Sequence, residues 1–116
     1  MALDASALVP DEARMLSLRA YLHVTWTEDD ERIMGDYASA VAYLYYADVP
    51  PRAGDPVYSA AYDQVVNGLV LQAFDPAFSD KETGVGRALD MGIRMKLNQL
   101  KSMPTATVEA EGGEGS

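Results

Sequence analysis

Four consecutive carboxylates, Glu28, Asp29, Asp30 and Glu31, form the densest run of chemically capable side chains in this 116-residue sequence. A hard divalent cation needs oxygens that converge on one point. Successive residues on a helix point around it, and only positions three or four apart share a face. Glu28 and Glu31 could therefore meet, but the spacing does not follow a calcium-binding loop. The run has a simpler use at the start of a helix, where carboxylates face the positive end of the helix dipole. Glu28 and Arg32 also stand four apart, as an ion pair along a helix would. His23, the single histidine, has no second ligand or nucleophile beside it and reads as a partly exposed structural residue. Residues 83–88, TGVGRA, lack the preceding strand and the third glycine of a phosphate-binding loop.

The other chemistry-bearing patterns are missing. The sequence has no nucleophile elbow, no P-loop and no helical zinc-binding motif. It has no cysteine, which removes disulfides and thiolate metal sites and suits a reducing cytoplasm. We expect no catalytic residue, no metal site and no cofactor. No apolar run approaches the ~18 residues of a membrane span, and the first residues lack the basic start and apolar stretch of a secretory leader.

Charge is unevenly spread. The net charge is −9. Residues 1–80 carry 13 acids and 4 bases, residues 81–101 carry 5 bases and 2 acids, and residues 102–116 carry 3 acids and no base. Such a chain will not hold nucleic acid by its backbone, because that binding rests on neutralising phosphates with Lys and Arg. The basic segment suits an acidic partner, including another copy of the chain.

These residues must be positioned by helices. Thr27 to Tyr46 predicts a helix of about twenty residues, with Thr27 as N-cap and Asp30 in the capping-box position. Ile33, Met34, Tyr37, Val41, Leu44 and Tyr45 recur at three- and four-residue steps and make one apolar face. Ala38, Ala40 and Ala42 keep the rest slim, and Pro50 and Pro51 mark the latest possible stop. The tyrosines at the C-terminal end want partners, within the chain or in another copy. Before this helix, Asp11 caps a shorter one from Glu12 to Leu22, with Met15, Leu18, Tyr21 and Leu22 on one side. Val24 and Trp26 lock the corner between the two, with Trp26 as a core plug. Residues 1–10 read as a flexible N-terminal arm.

Residues 47–55, ADVPPRAGD, read as a stiff loop with a turn. Asp55 and Pro56 then supply the N-cap and first position of a helix to Phe74. Its stripe runs through Val57, Tyr58, Ala61, Tyr62, Val65, Val66, Leu69, Val70 and Ala73. That width suits a helix buried on two sides, and Gly68 marks a close approach to a neighbour. Residues 75–86 read as a long loop, with Ser79 and Glu82 as a possible capping box and Phe78 and Val85 as its anchors. The last helix runs from Arg87 to Ser102, with Leu89, Ile93, Leu97 and Leu100 inward and Met91 and Met95 on a flatter face. Arg87, Arg94 and Lys101 lie seven residues apart and line one side. Residues 103–116 are acidic, nearly without apolar content, and expected to be disordered. The fold expected is all-α: a small bundle of about four helices over residues 11–102.

This order of elements resembles the head–tail connector (head completion, or adaptor) proteins of long-tailed bacteriophages and related prophages. Tyr21, Leu22, Asp29, Asp30, Ile33, Ala38, Ala42, Tyr43 and the run Val65 to Leu71 carry the resemblance, which spans roughly residues 15–101. Family members often end the second long helix with a histidine, an aromatic and an Asn-Arg pair; here Gln72, Ala73, Phe74, Asp75 and Pro76 stand there. The resemblance implies a virion protein of the neck, made in the host cytoplasm, with no catalytic activity. It implies a ring of about a dozen copies docked between the portal protein and a tail-proximal neck or tail terminator protein. DNA would pass through that channel without specific binding. Glu28, Asp29, Asp30 and Glu31 on one side, and Arg87, Arg94, Lys96 and Lys101 on the other, would be complementary subunit or portal interfaces. The alternative reading is a small acidic helical adaptor or regulator that binds a basic protein.

Overall fold

Asp55 accepts a hydrogen bond from the Tyr58 backbone N–H at 3.1 Å, and Pro56 takes the first helical position, so the longest apolar stripe starts where the sequence places it. The structure, a computed structural model, describes residues 4–103. A 3-10 turn, Ala5–Leu8, precedes five helices: α1 Glu12–Leu22, α2 Asp30–Tyr46, α3 Pro56–Phe74, α4 Pro76–Ser79 and α5 Gly84–Ser102. There is no strand among the described residues. The architecture is the all-α bundle expected, with four helices of real length.

α3 lies at the centre, packed against α2 on one side and α5 on another. Tyr58, Tyr62, Val65, Val66 and Val70 are buried along it, and Leu69 and Ala61 pack partly buried beside them. Val57 and Ala73, the two ends of the expected stripe, are exposed instead. Leu22, Ile33, Val41, Leu44 and Ile93 are buried as the periodicity requires, while Tyr37, Leu89 and Leu97 pack partly buried on the same core. At Gly68 a Cβ would meet Ile93 Cγ1 at 2.9 Å, so this glycine sets how closely α5 can approach α3.

α1 and α2 end by the same device. His23 adopts φ 61° and Asp48 φ 70°, both in the left-handed region that favours glycine. After α1, His23 N donates to Ala20 O (3.2 Å) and Val24 N to Arg19 O (2.8 Å). After α2, Asp48 N donates to Tyr45 O (3.0 Å) and Val49 N to Leu44 O (2.8 Å). Each closure satisfies two orphan carbonyls and drops the next residue, Val24 or Val49, into the core. α2 therefore stops before Pro50 is reached.

Several expectations are corrected. Trp26 is 45% exposed and is no core plug; buried Val24 alone holds the corner. α2 starts at Asp30 and runs 17 residues, because residues 27–30 form a turn in which Asp30 N donates to Thr27 O at 3.1 Å. Thr27 is thus not the N-cap. Residues 4–10 are no free arm: the 3-10 turn packs on α2, Leu8 joins the core and Pro10 is buried. The expected long loop is mostly helical. Asp75 caps α4, Thr83 caps α5 by accepting from Gly86 N at 3.1 Å, and α5 begins three residues earlier than Arg87. Ser79 turns its hydroxyl back to Pro76 O rather than forming a capping box, and Val85 is exposed. Met103 packs on the core; the expected disorder of residues 104–116 lies outside the described residues.

Arg52 closes the base of the bundle. Its guanidinium lies 3.9 Å from the Tyr58 ring centroid and donates to Met103 O at 3.2 Å, while Tyr58 Oη donates to Pro50 O at 2.6 Å. One side chain thus joins the α2–α3 loop, the start of α3 and the end of α5.

Two glycine substitutions test this packing. A Cβ on Gly86 would collide with the Asp80 carbonyl oxygen, so Gly86→Ala should lower unfolding free energy by about 1–3 kcal/mol. A Cβ on Gly35 meets nothing within 4 Å, so Gly35→Ala should raise it by about 1 kcal/mol through helix propensity. Urea unfolding followed by circular dichroism measures both; equal shifts would refute the close approach at Gly86.

Candidate functional site

The acidic run and the basic segment are the two surfaces to locate. Asp29 stands at the N-cap of α2 without a side-chain capping bond; its Oδ2 accepts from Trp26 Nε1 at 2.7 Å. Asp30 is claimed by α1: Arg19 Nε donates to Oδ1 at 2.9 Å and Nη2 to Oδ2 at 3.1 Å. This two-pronged pair holds the Asp30 carboxyl below the usual carboxylate range and raises Arg19. Glu28 and Glu31 remain exposed. Arg32 does not pair along the helix with Glu28. It donates to Phe74 O at 2.7 Å and stacks 4.5 Å from the Phe74 ring centroid, a cation at the negative end of α3.

The remaining early arginines are also engaged inside the chain. Arg14 approaches Asp63 Oδ1 at 3.7 Å and lies 5.5 Å from the Tyr37 ring centroid, and Arg52 holds the base of the bundle. Beside Arg14 the hydroxyl of Tyr62 is buried without a partner, and burial pushes its ionisation well up. All four arginines before residue 80 therefore serve internal contacts.

α5 is different. Arg87, Arg94 and Lys101 follow one flank, as the seven-residue spacing requires. Arg94 is partly neutralised, since its Nε donates to Asp90 Oδ2 at 2.9 Å. Asp90 also accepts from Gln72 Nε2 at 3.0 Å and lies 3.5 Å from Lys81 Nζ; the Gln72 bond first, then Arg94, hold its carboxyl low. Lys96 does not belong to this flank. Nine residues from Arg87 is about half a turn away on a helix, and the lysine stands on the opposite side of α5. Arg87, Lys96 and Lys101 are exposed and form no ion pair among the described residues.

Two clefts run along the two sides of α5. One, about 480 Å³, opens between α1, α3 and α5 and is lined by Tyr21, Asn67, Gly68, Gly92, Ile93 and Lys96. Its wall holds the Asn67 Oδ1, buried and without a donor. The other, about 550 Å³, opens toward α2 and is lined by Tyr43, Leu69, Gln72, Asp90, Arg94 and Leu97. Periodicity did not point to either cleft; Gly92, beside which nothing lies within 4 Å, was the available signal for the first. The outer side of α2 exposes Gly35, Ser39, Tyr43 and Tyr46, the last 84% exposed. Met91 and Met95 stand out from α5, 56% and 63% exposed.

Among the described residues no group of three or more His, Asp or Glu side chains is placed to hold a metal ion, and no helix is long and apolar enough to cross a membrane. Comparison of the chain with protein-family models, curated proteins and solved structures found no match.

The Arg19–Asp30 pair carries a pH dependence. Asp30 ionises more readily in the folded chain than in the unfolded one, so its contribution is complete above the ordinary carboxylate pKa of about 3.9 and is lost as pH falls toward the folded value. Asp30→Asn should therefore be less stable than the parent at pH 7, with the difference closing in acid. Thermal unfolding across pH 2–7 checks it (a range set by the ordinary carboxylate pKa of about 3.9). A gap that persists at the acid end would mean the asparagine disturbs α2 by another route.

Proposed function

We propose that this chain is a structural ring subunit, a head–tail connector that sits between a portal and a tail-proximal neck or terminator protein and surrounds a passage for DNA. The division of its cations carries this reading. The arginines of the first 80 residues are occupied within the bundle, whereas α5 turns Arg87, Lys96 and Lys101 outward on a chain of net charge −9. Glu28, just ahead of α2, and Glu31, in its first turn, stand exposed away from α5 in the chain. Two unlike faces of opposite sign are what a heterologous, ring-closing contact needs. An excess of acid elsewhere lets DNA pass without sticking, because phosphates find few cations to neutralise them. The exposed tyrosines of α2 and methionines of α5 supply the apolar area that such contacts bury. The reading requires no chemistry of the chain and places it in the neck of a virion.

Light scattering after gel filtration, on the chain alone and mixed with its cognate portal protein, tests the proposal. Co-elution near one copy per portal subunit is the expected result. Arg87→Glu with Lys101→Glu should abolish it while the helical circular dichroism is kept. A monomer indifferent to the portal would sink the connector reading and favour the small acidic adaptor that captures a basic protein.

A further inference from the structure

We propose that residues 104–116 lie back along the outer face of α5 and cover its cations until a partner displaces them. The contact itself is independent of the ring reading; its effect on assembly rests on that reading. Met91 and Met95 stand at the middle of this face, with Ala88 exposed beside them. By helix arithmetic, Arg87, Arg94 and Lys101 flank the pair on one side and Lys96 on the other. Arg87, Lys96 and Lys101 form no ion pair among the described residues. Arg87 gains nothing from its own helix dipole either. It stands near the positive end of α5, whose first turn holds no acid. An apolar strip bordered by unanswered cations suits an extended acidic chain that carries a small apolar side chain.

The segment beyond Met103 has that chemistry and starts in the right place. Residues 104–116, outside the described residues, carry Glu109, Glu111 and Glu114, no base, and Val108 as their one branched aliphatic residue. The chain leaves α5 at Met103 with an extended backbone, φ −73° and ψ 132°. Pro104 has no N–H with which to continue the helix. Counting back from Met103, Arg94 lies about 14 Å along α5 and Arg87 about 24 Å. An extended chain covers about 3.3 Å per residue, so Glu109 reaches about 20 Å and Glu111 about 26 Å. The reach seats Val108 against Met95 and sets Glu109 and Glu111 between Arg94 and Arg87. Tethering selects this occupant over a separate molecule. A segment of about a dozen residues meets α5 at an effective concentration of about millimolar order. Exposed ion pairs, each weak, are then made within the chain before a dilute partner arrives. The cations of α5 are thereby masked in the free chain. A surface that presents carboxylates from several copies at once, as an assembled ring or portal does, displaces the strap.

The absence of cysteine from the chain allows a single-probe test. Gly113→Cys in the full chain carries a nitroxide, and relaxation of the backbone amide signals is read at low salt. The amides of Ala88, Met91 and Met95 should relax about threefold faster than with the probe reduced. The gain should vanish at about 0.5 M salt, where the screening length falls to about 4 Å. Glu109→Gln, Glu111→Gln and Glu114→Gln together should remove it at every salt, with the helical circular dichroism kept. An effect confined to residues beside Met103, or one that survives the three substitutions, overturns the strap. So does an effect of equal size on isotope-labelled, probe-free copies mixed with probed ones, since the segment then lies on a neighbour. Portal binding gives the second readout. The triple variant should co-elute with the portal protein at about threefold lower concentration than the parent. Equal binding by the two, with the relaxation effect present, overturns the masking. Relaxation without any portal binding sinks the ring reading and leaves the strap, whereas portal binding without relaxation does the reverse.

Discussion

The close crossing of α3 and α5 at Gly68 is the constraint on which the bundle depends. With no side chain on Gly68, Ile93 lies against the α3 backbone, and α5 can bury Leu89, Ile93, Leu97 and Leu100 along one strip. α3 then has neighbours on two sides and becomes the core of the domain, with Val65, Val66 and Val70 almost wholly excluded from water. A chain of this size has little apolar area to spare, so a helix covered on both flanks matters more here than in a larger protein. The same crossing leaves α5 standing proud of the bundle, with a cleft along each side. Surface features of α5 thus follow from a glycine on a different helix.

Electrostatics in this chain falls into two classes. Arg14, Arg19, Arg32 and Arg52 lie against aromatic rings, carboxylates or helix-end carbonyls, where planar guanidinium groups stack and fork. Two of the four remaining bases on α5 are lysines, held out in water on flexible stems. Every cation that makes the internal ring and carbonyl contacts is an arginine, whereas the exposed set on α5 mixes arginine and lysine. The division separates cations that build the fold from cations that remain for a partner.

Much of the fold was legible because helix periodicity and side-chain caps are local signals. Asp11, Asp55 and the proline at 56 mark helix starts that the structure reproduces. What failed depended on geometry that periodicity does not encode. Trp26 reads as core by composition, yet the turn at residues 27–30 swings it outward, where its indole N–H finds Asp29. The C-terminal closures at His23 and Asp48 carry no glycine, so the usual stop signal was absent and Pro50 was credited instead. Residues 75–86 read as a long loop, but Gly84 and Gly86 sit in the first turn of α5, and Gly86 is required by its contact with the Asp80 carbonyl. For the candidate surfaces, the residue types were readable and their grouping only partly so. Lys96 was placed with Arg87 and Arg94 although helix arithmetic alone separates them by about half a turn. That Arg94 answers to Asp90 one turn back, and Asp30 to Arg19 on another helix, needed the folded chain.

The Arg52 clamp has a mechanical meaning. Its hydrogen bond to Met103 O ties the exit of α5 to a side chain that stacks on Tyr58, and Tyr58 is in turn fastened to the carbonyl of Pro50. The last turn of α5 is therefore fastened to the root of α3 as well as to its own helix. Fraying of that terminus must first undo a contact anchored on the most deeply packed helix of the domain.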